Sequence, residues 1–216
     1  MLVKIGLNEL SWSIFHRYRK EIRKQFPNIY RLKTKRVLFK IITKALNWND
    51  SILDVGASNK NLGEKINEEF HSITYKTMDI DKANEHDYYS LDGINELFDL
   101  IIMAEVIEHI KFNEGIELLY RLKGLLKQGG KIIITTPNIH HPHRFWDPDH
   151  ITPYRYDDLG GALLYVGFNI EGIYRIYNAS ILKYISRIVL LPLFKLLDID
   201  FARSIAIVAC NAEHKG

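Results

Sequence analysis

A chain of 216 residues has the length of one α/β domain; at 47% hydrophobic and 25% charged it has apolar material for a core and no charge excess that would force disorder. The single cysteine, Cys210, excludes an internal disulfide framework and a multi-thiolate metal centre and fits a reducing, cytoplasmic setting. The net charge of +3 hides an imbalance: eleven Lys and Arg face only Glu21 between His16 and Lys44, a local +10 that leaves −7 for the rest. Such a segment is a solvated helix face or a surface for phosphate, including RNA, or for anionic lipid.

Met1 to Leu10, with Lys4 and Glu9, lacks the long apolar region of an export signal, so a soluble protein is expected. Leu10 to Phe26 reads as a helix closed by Pro27-Asn28. Ile29 to Trp48 is predicted to be one amphipathic helix, because Leu32, Val37, Leu38, Ile41, Ile42, Ala45 and Leu46 recur at helical spacing. Thereafter short apolar runs alternate with helical segments. Strands are predicted at Ser51 to Val55, Ile73 to Met78, Leu97 to Met103, Lys131 to Thr135, Phe168 to Ile176 and Arg203 to Cys210. Helices are predicted near Leu62 to Phe70, Glu114 to Leu126 and Asp157 to Val166. Continuous apolar strands between helices imply an α/β fold, a doubly wound and mostly parallel sheet covered on both faces.

If the last two strands are antiparallel neighbours, a tight turn should join them, yet Asn178 to Asp198 intervenes. Its apolar residues, Ile181 to Leu197, suggest a helical hairpin, interrupted by Lys183, Arg187, Pro192 and Lys195 and so unsuited to spanning a bilayer. Packing onto the body is expected, since apolar helical faces usually bury; a dimer contact or an interfacial helix for a lipid-like acceptor are the other roles, the last implying peripheral membrane contact.

Ligands of such sheets bind where strands end. The first strand ends in Asp54-Val55-Gly56-Ala57-Ser58, where a glycine permits close backbone approach beside a carboxylate, a poor setting for pyrophosphate. The second ends in Asp79-Ile80-Asp81, where an acid meets a ribose in nucleotide-binding βαβ units. After the next strand, Glu105, Glu108 and His109 share a face of a helical turn, and His140, His141, His143 and His150 follow the strand after that. Three readings stay open: Glu108 and His109 order the turn; His109 or His150 is a general base; or Glu105, Glu108, His109 and His150 ligate a divalent ion. Phe145, Trp146 and Tyr154 offer walls for an acceptor pocket, and Trp12, Phe15, Tyr18 and Tyr30 a lid.

Taken in order, Leu53-Asp54-Val55-Gly56, Asp79-Ile80-Asp81, Phe98 to Ile110, Leu126 to Lys131 and Thr136-Pro137-Asn138 resemble the class I S-adenosylmethionine-dependent methyltransferases over roughly Leu32 to Ile176. The resemblance implies a Rossmann-like seven-stranded sheet with the last strand antiparallel, and S-adenosylmethionine as cofactor. It gives Asp54 and Gly56 the cofactor's amino-acid part and Asp79 its ribose, and places Ala57, Ser58, Ile80 and Ala104 in the same site. Asp87 would reach the adenine amine, with Asp92 the competing choice, and Tyr88 would offer the ring a backbone amide. The loop departs from the family's Asp-x-Gly-x-Gly-x-Gly, with Ser58 and Lys60 at the later glycines. Glu108, His109 and His150 are the candidate catalytic residues, with no metal assigned; a similar Glu-x-x-Glu-His occurs in ubiquinone-pathway O-methyltransferases and small-RNA terminal 2′-O-methyltransferases.

One domain is expected: an N-terminal helical lid over 1–48, a cofactor-binding core over 49–177, a helical insertion over 178–199, and the last strand and tail over 200–216. The expected activity is O-methylation of a small or lipid-linked acceptor. The alternatives are an RNA methyltransferase that uses the basic segment, including Arg17, Arg19 and Lys20, and a nucleoside-binding regulatory module without turnover.

Overall fold

The computed structural model describes residues 11–59, 61–143 and 147–211. In chain order the elements are α1 (Trp12–Gln25), a 3-10 turn (Ile29–Arg31), β1 (Lys33–Lys35), α2 (Phe39–Ala45), β2 (Ser51–Val55), α3 (Asn61–Glu69), β3 (Thr74–Met78) and β4 (Phe98–Ala104). There follow a 3-10 turn (Ile107–His109), α4 (Phe112–Gly124), β5 (Leu126–Pro137), α5 (Tyr156–Val166), β6 (Asn169–Ile176), α6 (Ile181–Val189), α7 (Leu191–Leu196) and β7 (Ser204–Cys210). The strands form one sheet in the order β1-β6-β7-β5-β4-β2-β3, in which only β7 runs antiparallel to its neighbours.

Alternation along the strands sorts side chains to two faces. Leu53, Ile101, Ile132 and Ile207 face α1, α4 and α5, whereas Ile52, Ile102, Ile133 and Ala206 face α2 and α3 through Ile42 and Ile66. Both faces are covered, which is why these strands read as unbroken apolar runs. The chain leaves β2 first toward β3 and then returns to β4 on its other side, so the crevice between the carboxyl ends of β2 and β4 is the switch point of the sheet.

Two expectations about elements are corrected. The single helix over Ile29 to Trp48 is instead a 3-10 turn, a strand and a short helix, its apolar residues divided among them: Leu32 is buried before β1, and Ile41 and Ile42 in α2. Lys33–Lys35 pairs with Tyr174–Ile176 at the open edge of β6, where unpaired amides and carbonyls reward a strand more than a marginal helix is stabilised. The seventh strand is therefore β1. Between β3 and β4 there is only an isolated bridge, Met78 to Tyr88.

The insertion does form a helical pair, but it does not pack as expected: no residue of α6 or α7 is buried, and Leu182 is 82% exposed. The hairpin rests on the body through Tyr184 and Arg187 of α6, three residues apart, and through Phe194 of α7, whose ring lies 4.7 Å from that of Phe201. Tyr184 shares a 2.8 Å hydroxyl hydrogen bond with Thr34, and Arg187 Nη1 donates to the Phe201 carbonyl at 3.2 Å. These contacts turn the apolar stripe of α6 to solvent. Among the described residues no helix is long and apolar enough to cross a membrane.

α1 lies on α5 where Gly160 and Gly161 leave no side chain; a Cβ at Gly161 would sit 3.2 Å from the Arg19 backbone nitrogen. Arg19 Nε meets Asp158 at 2.7 Å and Arg19 Nη2 meets the buried Asp157 at 3.3 Å. Arg19 is only 9% exposed, so its expected place on an RNA-binding surface is withdrawn.

Candidate active site

The switch-point crevice is built on Gly56. Its φ of +74° is unstrained only without a Cβ, and a Cβ there would lie 2.2 Å from Val106 Cγ2. The glycine thus lets the β2 loop touch the segment after β4 that carries Glu105, Glu108 and His109. Gly56 and Ala57 amides both donate to the Met78 carbonyl (2.8 and 3.3 Å), and Ser58 N donates to Asp79 Oδ2 at 2.8 Å. Asp79 Oδ1 accepts from Asp81 N at 2.9 Å, so each carboxylate oxygen keeps a lone pair for a further donor.

Asp54, at the end of β2, is buried and accepts one hydroxyl hydrogen bond, from Tyr75 at 2.5 Å. Burial, helped by Asp79 nearby and opposed by the tyrosine, pushes its pKa up to about 6. An anion this poorly compensated gains from a cationic ligand. Tyr75 is a site residue that no motif announced; it lies diagonally across the strand pair from Asp54.

Asp87 and Tyr88 are placed differently from the rest. Asp87 accepts from Lys76 Nζ (3.0 Å), Thr77 N (2.9 Å) and Thr77 Oγ1 (3.1 Å), which ties it to β3 and holds its pKa below the usual carboxylate range, against the opposing effect of burial. The Tyr88 amide, expected to serve an adenine ring, already donates to the Thr77 carbonyl at 3.0 Å. Asp92 pairs with Arg121 on α4 at 2.5 Å. Ile80 is 80% exposed, and Ala104 closes β4 with Thr135 as its partner on β5. Lys60, Phe145 and Trp146 lie outside the described residues.

The candidate catalytic residues do meet. Glu108 is 1% exposed, on the 3-10 turn after β4. Its carbonyl accepts from both Ile151 and Thr152 amides at 2.9 Å, which draws the histidine-bearing loop after β5 against it. His150 Nε2 then lies 4.0 Å from Glu108 Oε1 and 3.9 Å from Asp147 Oδ2. The His109 and His150 rings stand edge to face, 4.8 Å between centroids. His109 Nδ1 is 3.2 Å from the Asp149 carbonyl; a carbonyl only accepts, so Nδ1 carries the proton and the neutral ring keeps a lone pair on Nε2.

Neither Glu108 oxygen has a well-aligned hydrogen-bond donor; burial, reinforced by the Glu105 carboxylate and opposed by its own amide and the Thr136 hydroxyl, raises its pKa to about 8. Glu105 carries a left-handed φ of +56° and accepts from Thr135 Oγ1 at 2.7 Å. Burial also raises its pKa. A cavity of about 360 Å³ opens beside Glu108 and His150, walled by Thr136, Asp147, Tyr154 and Arg155. A neighbouring one runs under Trp12 and Phe15 of α1, so two of the four proposed lid aromatics border the cleft. His140, His141 and His143 are not among the atoms that Glu108, His109 and His150 bring together, but His141 and His143 line the same cleft as Glu105, His109 and His150; His141 is buried beside Phe201, 6.0 Å between rings.

A family model described as a methyltransferase domain matches residues 16–172, well over half of the chain. The chain belongs to the class I S-adenosylmethionine-dependent methyltransferases. Among solved structures, a SAM-dependent methyltransferase from Archaeoglobus fulgidus shares 18% identity with this methyltransferase over 91% of this chain and 94% of that one, with a TM-score of 0.59. The N-methyltransferase NodS from Bradyrhizobium japonicum WM9 shares 14% over 91% and 98%, with a TM-score of 0.55. The [4+2]-cyclase SpnF shares 12% over 81% and 80%, with a TM-score of 0.59. At these identities the structures speak for the fold alone, and the cyclase shows that the fold does not dictate the reaction. No curated protein sequence matches.

S-adenosylmethionine is the cofactor of this enzyme, and the residues present fit it. Gly56 lets the β2 loop turn close against Val106 at the end of the crevice, the under-compensated Asp54 suits an α-ammonium, and Asp79 retains acceptor capacity for hydroxyls.

Proposed function

We propose that this methyltransferase methylates a hydroxyl of a small or lipid-linked acceptor, with His150, His109 and Glu108 handling the proton that the hydroxyl loses. The observation that carries the reading is the meeting of two imidazoles and a buried, poorly compensated carboxylate in one cleft, beside the glycine on which the cofactor loop turns. Asp54 would grip the amino-acid end of the cofactor and Asp79 the ribose. When bound, S-adenosylmethionine supplies a methyl group on a sulfonium, with a neutral thioether as leaving group.

The protein's task is then alignment and proton removal. The cavity beside Tyr154 and Arg155 holds the acceptor. An imidazole nitrogen of His150 or His109 takes the hydroxyl proton as the oxygen bonds to carbon and the carbon–sulfur bond breaks, and the imidazolium so formed favours the charged form of Glu108, 4.0 Å from His150. Trp12 and Phe15 of α1 line the neighbouring pocket, which shares Tyr154 and Arg155 with the acceptor cavity, and from there would limit water.

The test offers the purified enzyme methyl-labelled cofactor with phenolic, aliphatic and isoprenoid alcohols, and reads methyl ethers by mass spectrometry. His150→Gln and Glu108→Gln should lower kcat while cofactor affinity is kept. Label found on nitrogen or in RNA would overturn the reading, and cofactor binding without transfer to any acceptor would favour the regulatory module instead.

One observation favours a second reading. One ligand atom from each of Glu108, His109 and His150 lies within 4.8 Å of the others, and the buried Glu108 would be deprotonated by a cation. A divalent ion there would polarise the acceptor hydroxyl. Turnover lost on chelation and restored by Mg, Mn or Zn would carry this reading; turnover indifferent to chelation would remove it.

A further inference from the structure

The hairpin between β6 and β7 plays no part in the chemistry above. We propose that α6 and α7 form a docking element that seats the enzyme on an anionic lipid surface. Ile181, Leu182, Ile185, Val189, Leu193 and Leu196 are all exposed, although apolar side chains in such number normally find a partner. They do not face the body, which the hairpin meets through Tyr184, Arg187 and Phe194 instead. An amphipathic helix whose apolar side looks outward, with lysines beside it, lies in a bilayer interface with that side sunk among the acyl chains.

Charge selects the occupant. Lys183 and Lys195 stand on the hairpin, and neither makes an ion pair among the described residues. β1 is fastened to the hairpin by Thr34 to Tyr184 and by Arg36 Nη1 to the Ala179 carbonyl (3.4 Å), while Lys33 and Lys35 alternate to the other side of that strand, beside Lys40 and Lys44 of α2, so the charge offered to a leaflet is that of Lys183 and Lys195. A negatively charged leaflet complements this set. A second copy of the chain, meeting the first through the same patch, would set like charges against each other. RNA would neutralise the lysines but leave the aliphatic residues, which offer it no stacking platform, in water.

The hairpin is also rooted at the active site. Asn178 and Arg203, at its two feet, border a cleft of about 610 Å³ together with Glu105, His109 and His150. Docking would bring the cleft's mouth to the bilayer, so that an acceptor carried by lipid tails reaches His150 with its tails left in the membrane. That consequence rests on the acceptor class proposed above; the docking does not.

The test is co-sedimentation of the full chain with phosphatidylcholine vesicles, with and without phosphatidylglycerol, at low and high salt. Binding should require phosphatidylglycerol and weaken with salt. Leu182→Glu with Val189→Glu should reduce it about tenfold or more, by removing two apolar anchors. Both positions are exposed, so melting temperature and cofactor binding should stay unchanged and report that the variant is folded. Lys183→Gln with Lys195→Gln should weaken binding to the charged vesicles only. The proposal is overturned by absence of vesicle binding, by binding that Leu182→Glu with Val189→Glu leaves intact, by a dimer that this variant dissolves, or by RNA retained in preference to vesicles. Vesicle binding needs neither cofactor nor acceptor, so its failure would leave the methyl-transfer reading standing, and the reverse holds equally.

Discussion

Asp54 sits where its charge is a liability to the empty protein. Its pKa of about 6 in the folded chain, against 3.8 as a free group, means that the folded state holds the proton more tightly. Stability should therefore fall as pH rises from about 4 through 6, and above that window the charged group costs about 3 kcal/mol. Asp54→Asn keeps an acceptor for the Tyr75 hydroxyl and removes the charge. At pH 8 it should melt higher than the natural protein without cofactor, below pH 4 the two should converge, and the variant should lose most affinity for S-adenosylmethionine by calorimetry. A second prediction concerns Gly56. Gly56→Ala meets a left-handed backbone that costs an L-residue about 1–2 kcal/mol, plus the Val106 contact at 2.2 Å, and should weaken cofactor binding. Adding Val106→Ala should restore part of it, because only the contact is relieved. The places of Asp54 and Gly56 at the end of β2, of Asp79 just after β3 and of Glu108 and His109 just after β4 were legible in the sequence, because they follow from where the strands end. His150, in the loop well beyond β5, is instead drawn to Glu108 by the Ile151 and Thr152 amides on the Glu108 carbonyl, which no strand pattern announces. The expected duties of Asp87 and Tyr88 were less legible too, since a linear sequence does not reveal that Thr77 takes hydrogen bonds with both.

At the level of elements, what misled was an edge. The apolar spacing from Leu32 to Leu46 is helical, and α2 obeys it from Phe39. Lys33–Lys35 departs from it because β6 lacks a partner on that side, a fact about a strand some 140 residues away. β4 and β7 were legible because their content is mainly apolar, whichever neighbours they find. The joint between α1 and α5 was hidden for the opposite reason, being made of two glycines and a buried acid with no periodic signature. It also permits a sharp prediction. Asp157 is buried against Arg19, Arg23 and Arg155 at 3.3, 3.6 and 3.0 Å. In Asp157→Ala, Arg23 and Arg155 can turn to water, but Arg19 keeps only Asp158. A loss of about 3 kcal/mol is expected, at the low end for a broken buried pair. Chemical denaturation would measure it, and Asp157→Asn should recover less than half, since the shape returns and the charge does not.

For the whole molecule, the sheet and the hairpin are separable in energy though joined in sequence. Ile176 at the end of β6 pairs with Ser204 at the start of β7, so the strands already meet where a tight turn could join them. What secures the returning chain is the residue after the hairpin. Asp200 is fully buried, with Arg175 Nη1 at 3.2 Å, Asn138 Nδ2 at 3.0 Å and the Ala202 amide at 3.2 Å. Replacing residues 181–197 by a short glycine–serine linker removes no buried side chain of α6 or α7 and should shift the melting temperature little, with cofactor affinity retained. Asp200→Ala keeps the hairpin yet strands Arg175, which is 1% exposed, and should cost about 3–5 kcal/mol. If the linker variant proved the less stable of the two, the hairpin would be a packed part of the body after all. If the order is as expected, the insertion is retained for something other than folding, and its loss should be felt only by acceptors that arrive from a membrane.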